Sequence, residues 1–235
     1  MSDALLAMTG VEKDYHTLRP LRIRELSVRA GEVYSISGID MLGAETFVHL
    51  VTGATLPDKG DVSLFGRNTR GITDGVAWLK SLDGVGMITA RGILIEAFSV
   101  LQNIALSLTL DVDPLDPRVI PPAGALAREV EIAANLFDVP VGKVPADVKM
   151  RVHLARALAL GPKLLIAEHP SAALPRDSVA AFGGALGNVT RARELALIAI
   201  TADDSLAKAV GGTRLELVAA SGELRTLSRI RRLFR

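Results

Sequence analysis

Apolar residues recur along this chain in short runs bounded by glycine, proline and charged turns, and the runs predict an alternation of strands and helices. Residues 5–11 and Leu21–Val28 alternate as two strands, parted by a polar turn from Asp14 to Pro20. Val33-Tyr34-Ser35-Ile36-Ser37 reads as a buried strand, and residues 47–51 as a short helix ending at Gly53. Leu56-Pro57-Asp58-Lys59-Gly60-Asp61 is a turn by its Pro-Asp and Lys-Gly content, leading to a strand over 61–65 that stops at Gly66. A further strand is predicted over 85–89. Pro114, Pro117, Pro121 and Pro122 make residues 111–123 a loop between two helical regions. Helical patterns follow over 123–137 and 148–160, the second stopping at Gly161-Pro162. Residues 164–167 and 195–201 are continuous apolar runs, which suit strands buried on both faces of a parallel sheet, and 215–219 is expected to close that sheet.

Composition narrows the class. A chain of 235 residues with 49% hydrophobic content and positive mean hydropathy fits one large α/β domain, or a domain with a small lobe, around a well-buried core. No apolar run approaches the ~18–20 residues that span a bilayer, and Met1-Ser2-Asp3 does not open a signal pattern. The absence of cysteine excludes disulfides and thiolate metal sites and fits a cytoplasmic location. A net charge of +1 argues against nucleic acid as partner. There is no internal repeat, no zinc-protease or EF-hand spacing, and no Ser/His/Asp order.

The chemistry concentrates after the third strand. Gly38-Ile39-Asp40-Met41-Leu42-Gly43-Ala44-Glu45-Thr46 has the layout of a phosphate-binding P-loop, G-x-x-x-x-G-K-[ST]. The two glycines are correctly spaced. Ala44 stands where the pattern has lysine, and Glu45 where it has the Mg²⁺-binding hydroxyl.

Further along, Gly53-Ala54-Thr55-Leu56-Pro57-Asp58-Lys59-Gly60-Asp61-Val62, Ser99-Val100-Leu101-Gln102-Asn103-Ile104-Ala105-Leu106, Arg151-Val152-His153-Leu154-Ala155-Arg156-Ala157-Leu158-Ala159 and Pro162-Lys163-Leu164-Leu165-Ile166-Ala167 follow in order. With these segments the chain resembles the ATP-binding-cassette (ABC) ATPases over nearly its whole length. The resemblance implies an α/β ABC-type nucleotide-binding domain of P-loop NTPase fold: a RecA-like core, an antiparallel β lobe and a helical lobe at about 90–160. It makes residues 1–235 one domain with a basic tail over 224–235.

The same resemblance places the family's functional positions on unsuitable residues. Tyr15 takes the place of the aromatic that stacks on adenine. The Q-loop glutamine falls on Ala90, and the signature Leu-Ser-Gly-Gly-Gln on Val144, Pro145, Ala146, Asp147 and Val148. The Walker B aspartate falls on Glu168 and the catalytic glutamate on His169; the D-loop aspartate falls on Pro175 and the switch histidine on Ala202. Scaffold residues are kept while those that touch nucleotide are changed.

Losing one partner of a buried charged contact typically costs ~2–5 kcal/mol, or ~30- to several-thousand-fold in affinity. Glu45 adds a negative charge where phosphate belongs, and at a helix N-terminus it acts as an internal anion. ATP and Mg²⁺ are the cofactors the resemblance implies, and the substitutions predict weak or absent binding. Two salvage routes are chemically open. Glu45 and Glu168, both hard oxygen ligands, are a candidate Mg²⁺ pair, and His169 is either a base or a structural residue at the strand end. Arg91 is either a substitute phosphate ligand or an exposed loop arginine. The tail, with arginines at 225, 229, 231, 232 and 235, is either a docked helix or a contact for anionic surfaces.

The implied role is a cytoplasmic subunit, peripheral at the inner face of the membrane. It would work with an integral-membrane permease and form a homodimer or a heterodimer with another ABC subunit. It is expected to be a pseudo-ATPase with a structural or regulatory part; the alternatives are a weak ATPase using Glu45, Glu168 and His169, and an interaction protein without a permease. The apolar run Gly92-Ile93-Leu94-Ile95-Glu96-Ala97-Phe98 is the expected permease-docking groove.

Overall fold

The computed structural model describes residues 4–89 and 91–227. Strands β1 (Leu6–Lys13), β2 (Leu21–Val28), β4 (Lys59–Leu64) and β5 (Arg67–Asn68) form an antiparallel sheet in the order β2-β1-β4-β5. The second sheet, six strands in the order β10-β9-β3-β8-β7-β6, joins β3 (Val33–Ser37), β6 (Val85–Ile88), β7 (Leu164–Glu168), β8 (Ala196–Ile200), β9 (Thr213–Val218) and β10 (Glu223–Thr226). All its pairings are parallel except β9 with β10. The expectation that residues 215–219 close the sheet is corrected: β10 lies outside β9, so residues 224–226 are strand and not part of a helical tail. Residues 228–235, which carry most of that basic tail, lie outside the described residues.

The continuous apolar runs have two faces to fill, and the strand period of two divides them. Leu164, Ile166, Ala196, Ile198 and Ile200 pack with the antiparallel sheet and with α1 (Met41–Thr52), whose Phe47, Leu50 and Val51 are fully buried. Leu165, Ala167, Leu197 and Ala199 face the other way. They meet α5 (Ala146–Leu158) and α6 (Arg176–Ala192) through Leu154, Leu158, Phe182 and Leu186. Each buried Leu or Phe side chain contributes ~1.5–3 kcal/mol of transfer free energy, so the sheet is held from both sides.

Helix α6 and two further helices were not anticipated, and a fourth differs in place and extent. The helix α2 (Gly75–Leu82) and α7 (Asp204–Val210) start from aspartate caps, Asp74 and Asp203, each accepting two main-chain N–H bonds. The expected loop over 111–123 gives way at Ile120, where α4 (Ile120–Glu129) begins with Pro121 and Pro122 in its first turn. Proline is tolerated there because those N–H groups have no intrahelical acceptor. That helix ends at Glu129 rather than 137, and Glu131 follows in the left-handed region at φ 62°.

Beside α4 and α5 packs α3 (Val100–Ala105), opened by a reciprocal capping box of Ser99 and Gln102. Its fully buried Asn103 accepts from the Ile95 N–H at 2.8 Å and donates to the carbonyls of Ile95, Phe98 and Ser99. One amide thereby satisfies the main chain of the whole turn before α3. Arg156 of α5 reaches the same segment, donating to the Ile93 carbonyl at 2.7 Å. No helix among the described residues is long and apolar enough to cross a membrane.

Candidate functional site

At the end of β3 the chain turns through Gly38, at φ 84°. A Cβ there would lie 2.5 Å from the Leu217 carbonyl oxygen, so glycine is required by the passage against β9. The expected phosphate loop is shorter than its glycines imply. Helix α1 starts at Met41, and only Gly38, Ile39 and Asp40 lie between it and the strand. Asp40 is its N-cap: the side chain accepts from the Gly43 N–H at 2.7 Å, and its carbonyl accepts from Ala44 N–H at 2.8 Å.

A helix N-terminus binds phosphate through free N–H groups and the positive end of the dipole. Here the anion at that end is the protein's own Asp40, which corrects the assignment of that part to Glu45. Space is filled as well as charge. A Cβ on Gly43 would meet Asp40 Oδ1 at 3.0 Å, Ile39 Cγ2 at 3.1 Å and the Tyr15 hydroxyl at 3.4 Å. Ile39 is buried, and Ala44 is 0% exposed in the core with Phe47. Met41 and Leu42 stand exposed on the first turn, and the Thr46 hydroxyl donates back to the Leu42 carbonyl at 2.8 Å. Beside Tyr15 a cavity of about 470 Å³ remains, with Arg19 and Asp40 among its walls.

Glu45 points elsewhere. Arg91 binds it through Nη1 at 2.9 Å and binds Glu168 Oε2 through Nη2 at 3.2 Å. The arginine thus bridges helix α1 and the end of β7. The Glu168 side chain is 1% exposed against 42% for Arg91. Burial pushes the Glu168 carboxyl above its ordinary 4.5; the Arg91 guanidinium opposes that rise and the Glu45 carboxylate adds to it. Arg91 is an exposed loop arginine, as expected, and it also clamps the two carboxylates.

The N–H at Gly43 is already bonded to a carboxylate, and the two acids placed to take a divalent cation already share a guanidinium. Among the described residues no group of three or more His, Cys, Asp or Glu is placed to hold a metal ion.

The remaining predicted positions are scattered along element ends. His169 follows β7 in the left-handed region at φ 43°, its N–H donates to the Ile200 carbonyl, and its buried Nε2 has no partner. Pro175 precedes α6 as its cap, and Ala202 is exposed between β8 and α7. Val144 is buried and Pro145 is the N-cap residue of α5. Ala146, Asp147 and Val148 belong to that helix, with Asp147 in the first turn where its charge suits the dipole. Ala90 lies outside the described residues.

In the apolar run after Arg91, Ile93 is 78% and Ile95 41% exposed, whereas Leu94 and Phe98 pack against the core. Phe98 is thus part of the fold, and the exposed apolar surface is that of the two isoleucines. Sequence reasoning missed Asp40 as a cap and Arg91 as a bridge. An aspartate just before an apolar-periodic stretch was the available signal for the first; nothing in the spacing signals the second.

No protein-family profile matches the chain. It is 33% identical over 223 residues to the lipoprotein-releasing system ATP-binding protein LolD 2 of Caulobacter vibrioides, covering 88% of this chain and 92% of that protein. It is 32% identical over 182 residues to the methionine import ATP-binding protein MetN of the same species, covering 75% of this chain and 52% of that one. Among solved structures, the dimeric post-hydrolysis state of the ATP-binding cassette MJ0796, bound to ADP and Pi, matches with a TM-score of 0.74 at 19% identity, over 94% of this chain and 98% of that one. The cbiO1 structure from Clostridium perfringens, part of the ABC transporter complex cbiONQ, has a TM-score of 0.74 at 20% identity over 92% of this chain and 85% of that one. At such identities the two structures establish the fold.

Proposed function

The chain belongs to the ATP-binding subunits of ABC transporters, and on that premise we propose that it is a pseudo-ATPase. It sits in the cytoplasm against the inner face of the membrane, pairs with a copy of itself or with another ABC subunit, and structures or regulates a complex with a permease. The observation that carries this reading is the Asp40 carboxylate on the Gly43 N–H, the place a phosphate oxygen would need. The Arg91 bridge between Glu45 and Glu168 supports it, because it occupies the acids a Mg²⁺ ion would need. Residues 90–160 form the helical lobe in this reading, and the exposed Ile93 and Ile95 contact the permease.

The second reading, a weak ATPase, is favoured by the cavity beside Tyr15, which has room for a base. A thermal melt with and without millimolar Mg-ATP separates the two. A site with Kd a hundredfold below the ligand concentration adds ~2.7 kcal/mol, or about 5–10 °C in Tm for a chain of this size. The expected shift is below 1 °C. A rise of several degrees that vanishes in Tyr15→Ala would transfer the assignment to the weak ATPase. For the partner, Ile95→Glu is expected to leave Tm unchanged and to release the protein from native membranes. Retention of the variant, or failure of the wild type to co-purify with any multi-span protein, counts against the permease assignment.

A further inference from the structure

At the opposite end of α1 from Asp40 lies a cavity of about 810 Å³. It opens between the end of α1, the β4–β5 hairpin and α2, within the ~300–1,000 Å³ range of small-molecule sites. The cavity exists because α2 does not pack onto the core. None of its residues is buried, and Val76 and Leu79 are 77% and 59% exposed. A helix of apolar character normally buries one face. This one is propped away by Trp78, whose indole N–H donates to the Thr52 carbonyl at 2.6 Å. Gly53 serves the joint as the left-handed C-cap of α1 at φ 70°, a conformation that favours glycine.

The lining is apolar through Leu64, Phe65, Ile72 and the Trp78 ring. Within it Thr69 is 4% exposed, and its hydroxyl has no hydrogen-bond partner. That hydroxyl is itself shut off from the cavity space, so the polar selection falls to the other groups of the lining. Charge selects the ligand. Arg67, Lys80 and Lys163 line the cavity, and none forms an ion pair among the described residues. The single acid in the lining, Asp74, caps α2 through the N–H groups of Val76 and Ala77.

We propose that this cavity binds a small amphipathic carboxylate, its apolar body between Trp78 and Phe65 and its carboxylate at the cationic rim. The site stands apart from the nucleotide question and holds whichever reading of the Asp40 site prevails. Trp78 is the only tryptophan in the chain, so its fluorescence reports on the cavity alone. Decanoate is the probe, titrated below its own aggregation range into the full-length protein. A saturable change in Trp78 emission is expected, with decanoate binding at least about tenfold more tightly than decan-1-ol, the size of effect that two or three partly exposed charge contacts supply.

The double variant Lys80→Glu, Lys163→Glu alters exposed residues only. It is expected to erase the preference for the acid while keeping the wild-type circular dichroism. No saturable change, equal binding of the alcohol, or undiminished decanoate binding by the double variant would each overturn the proposal.

Discussion

Ala44→Lys, the change that would restore the family's lysine, is expected to destabilise the protein by ~3–5 kcal/mol, the usual result of leaving a charge buried without a partner. Ala44 is fully buried on the same face of α1 as Phe47, Val48 and Val51, and those residues pack against the central sheet. A lysine stem there overfills a packed core, which alone costs ~1–3 kcal/mol, and its ammonium has no acceptor on that face. For a chain of this length the loss corresponds to a fall in Tm of about 6–20 °C. Ala44→Gly, a control for helix propensity, should cost only ~1 kcal/mol. Adding Glu45→Ser does not help, since it removes one partner of Arg91 and leaves Asp40 bonded to Gly43. If the double variant melts like the wild type and binds Mg-ATP in calorimetry, Ala44 does not face the core and α1 does not begin at Met41.

Arg91→Ala is the second large effect, about 2–3 kcal/mol near neutral pH. Breaking a buried pair typically costs ~3–5 kcal/mol, reduced here because the guanidinium is 42% exposed and screened. The loss falls mainly on Glu168, a buried carboxylate then left facing Glu45 without a counter-charge. The pH dependence identifies it. Burial already raises the Glu168 pKa above 4.5, so the native state holds its proton more tightly than the unfolded chain does. The associated stability is complete below 4.5 and is lost as pH rises through the raised value. Removing Arg91 raises that pKa further. The Tm deficit of Arg91→Ala should therefore be small near pH 4.5 and widen toward pH 8. Glu168→Gln in the same background should recover most of it. A deficit that is flat with pH, or unaffected by Glu168→Gln, would mean that the bridge does not hold these elements together.

Sequence by itself determined the layers. The runs that became β7 and β8 are apolar over 164–167 and 196–200 because both faces of that sheet are covered there. The glycine turn at Gly38 and the loss of the phosphate-loop lysine were equally legible, since each is a property of one position. Helix α6 was not. Gly183 and Gly187 lower its helical character, yet they are there because a Cβ would come within 2.9 Å of Ala209 and 2.5 Å of the Val210 carbonyl oxygen, where α7 crosses. At α4, Pro121 and Pro122 read as breakers because their place in a first turn depends on where the helix starts.

The site divides along the same line. Which family groups were missing could be read residue by residue, but what replaced them is a matter of contact between distant segments. Asp40 caps α1 only because the helix starts at Met41, so its carboxylate reaches the Gly43 N–H. Arg91 joins Glu45 and Glu168 across 46 and 77 residues, a meeting that local propensity does not encode. Tertiary structure decided it by bringing the end of β7, the first turns of α1 and the chain after β6 together at the carboxyl ends of the parallel strands, where a buried carboxylate is held beside a cation.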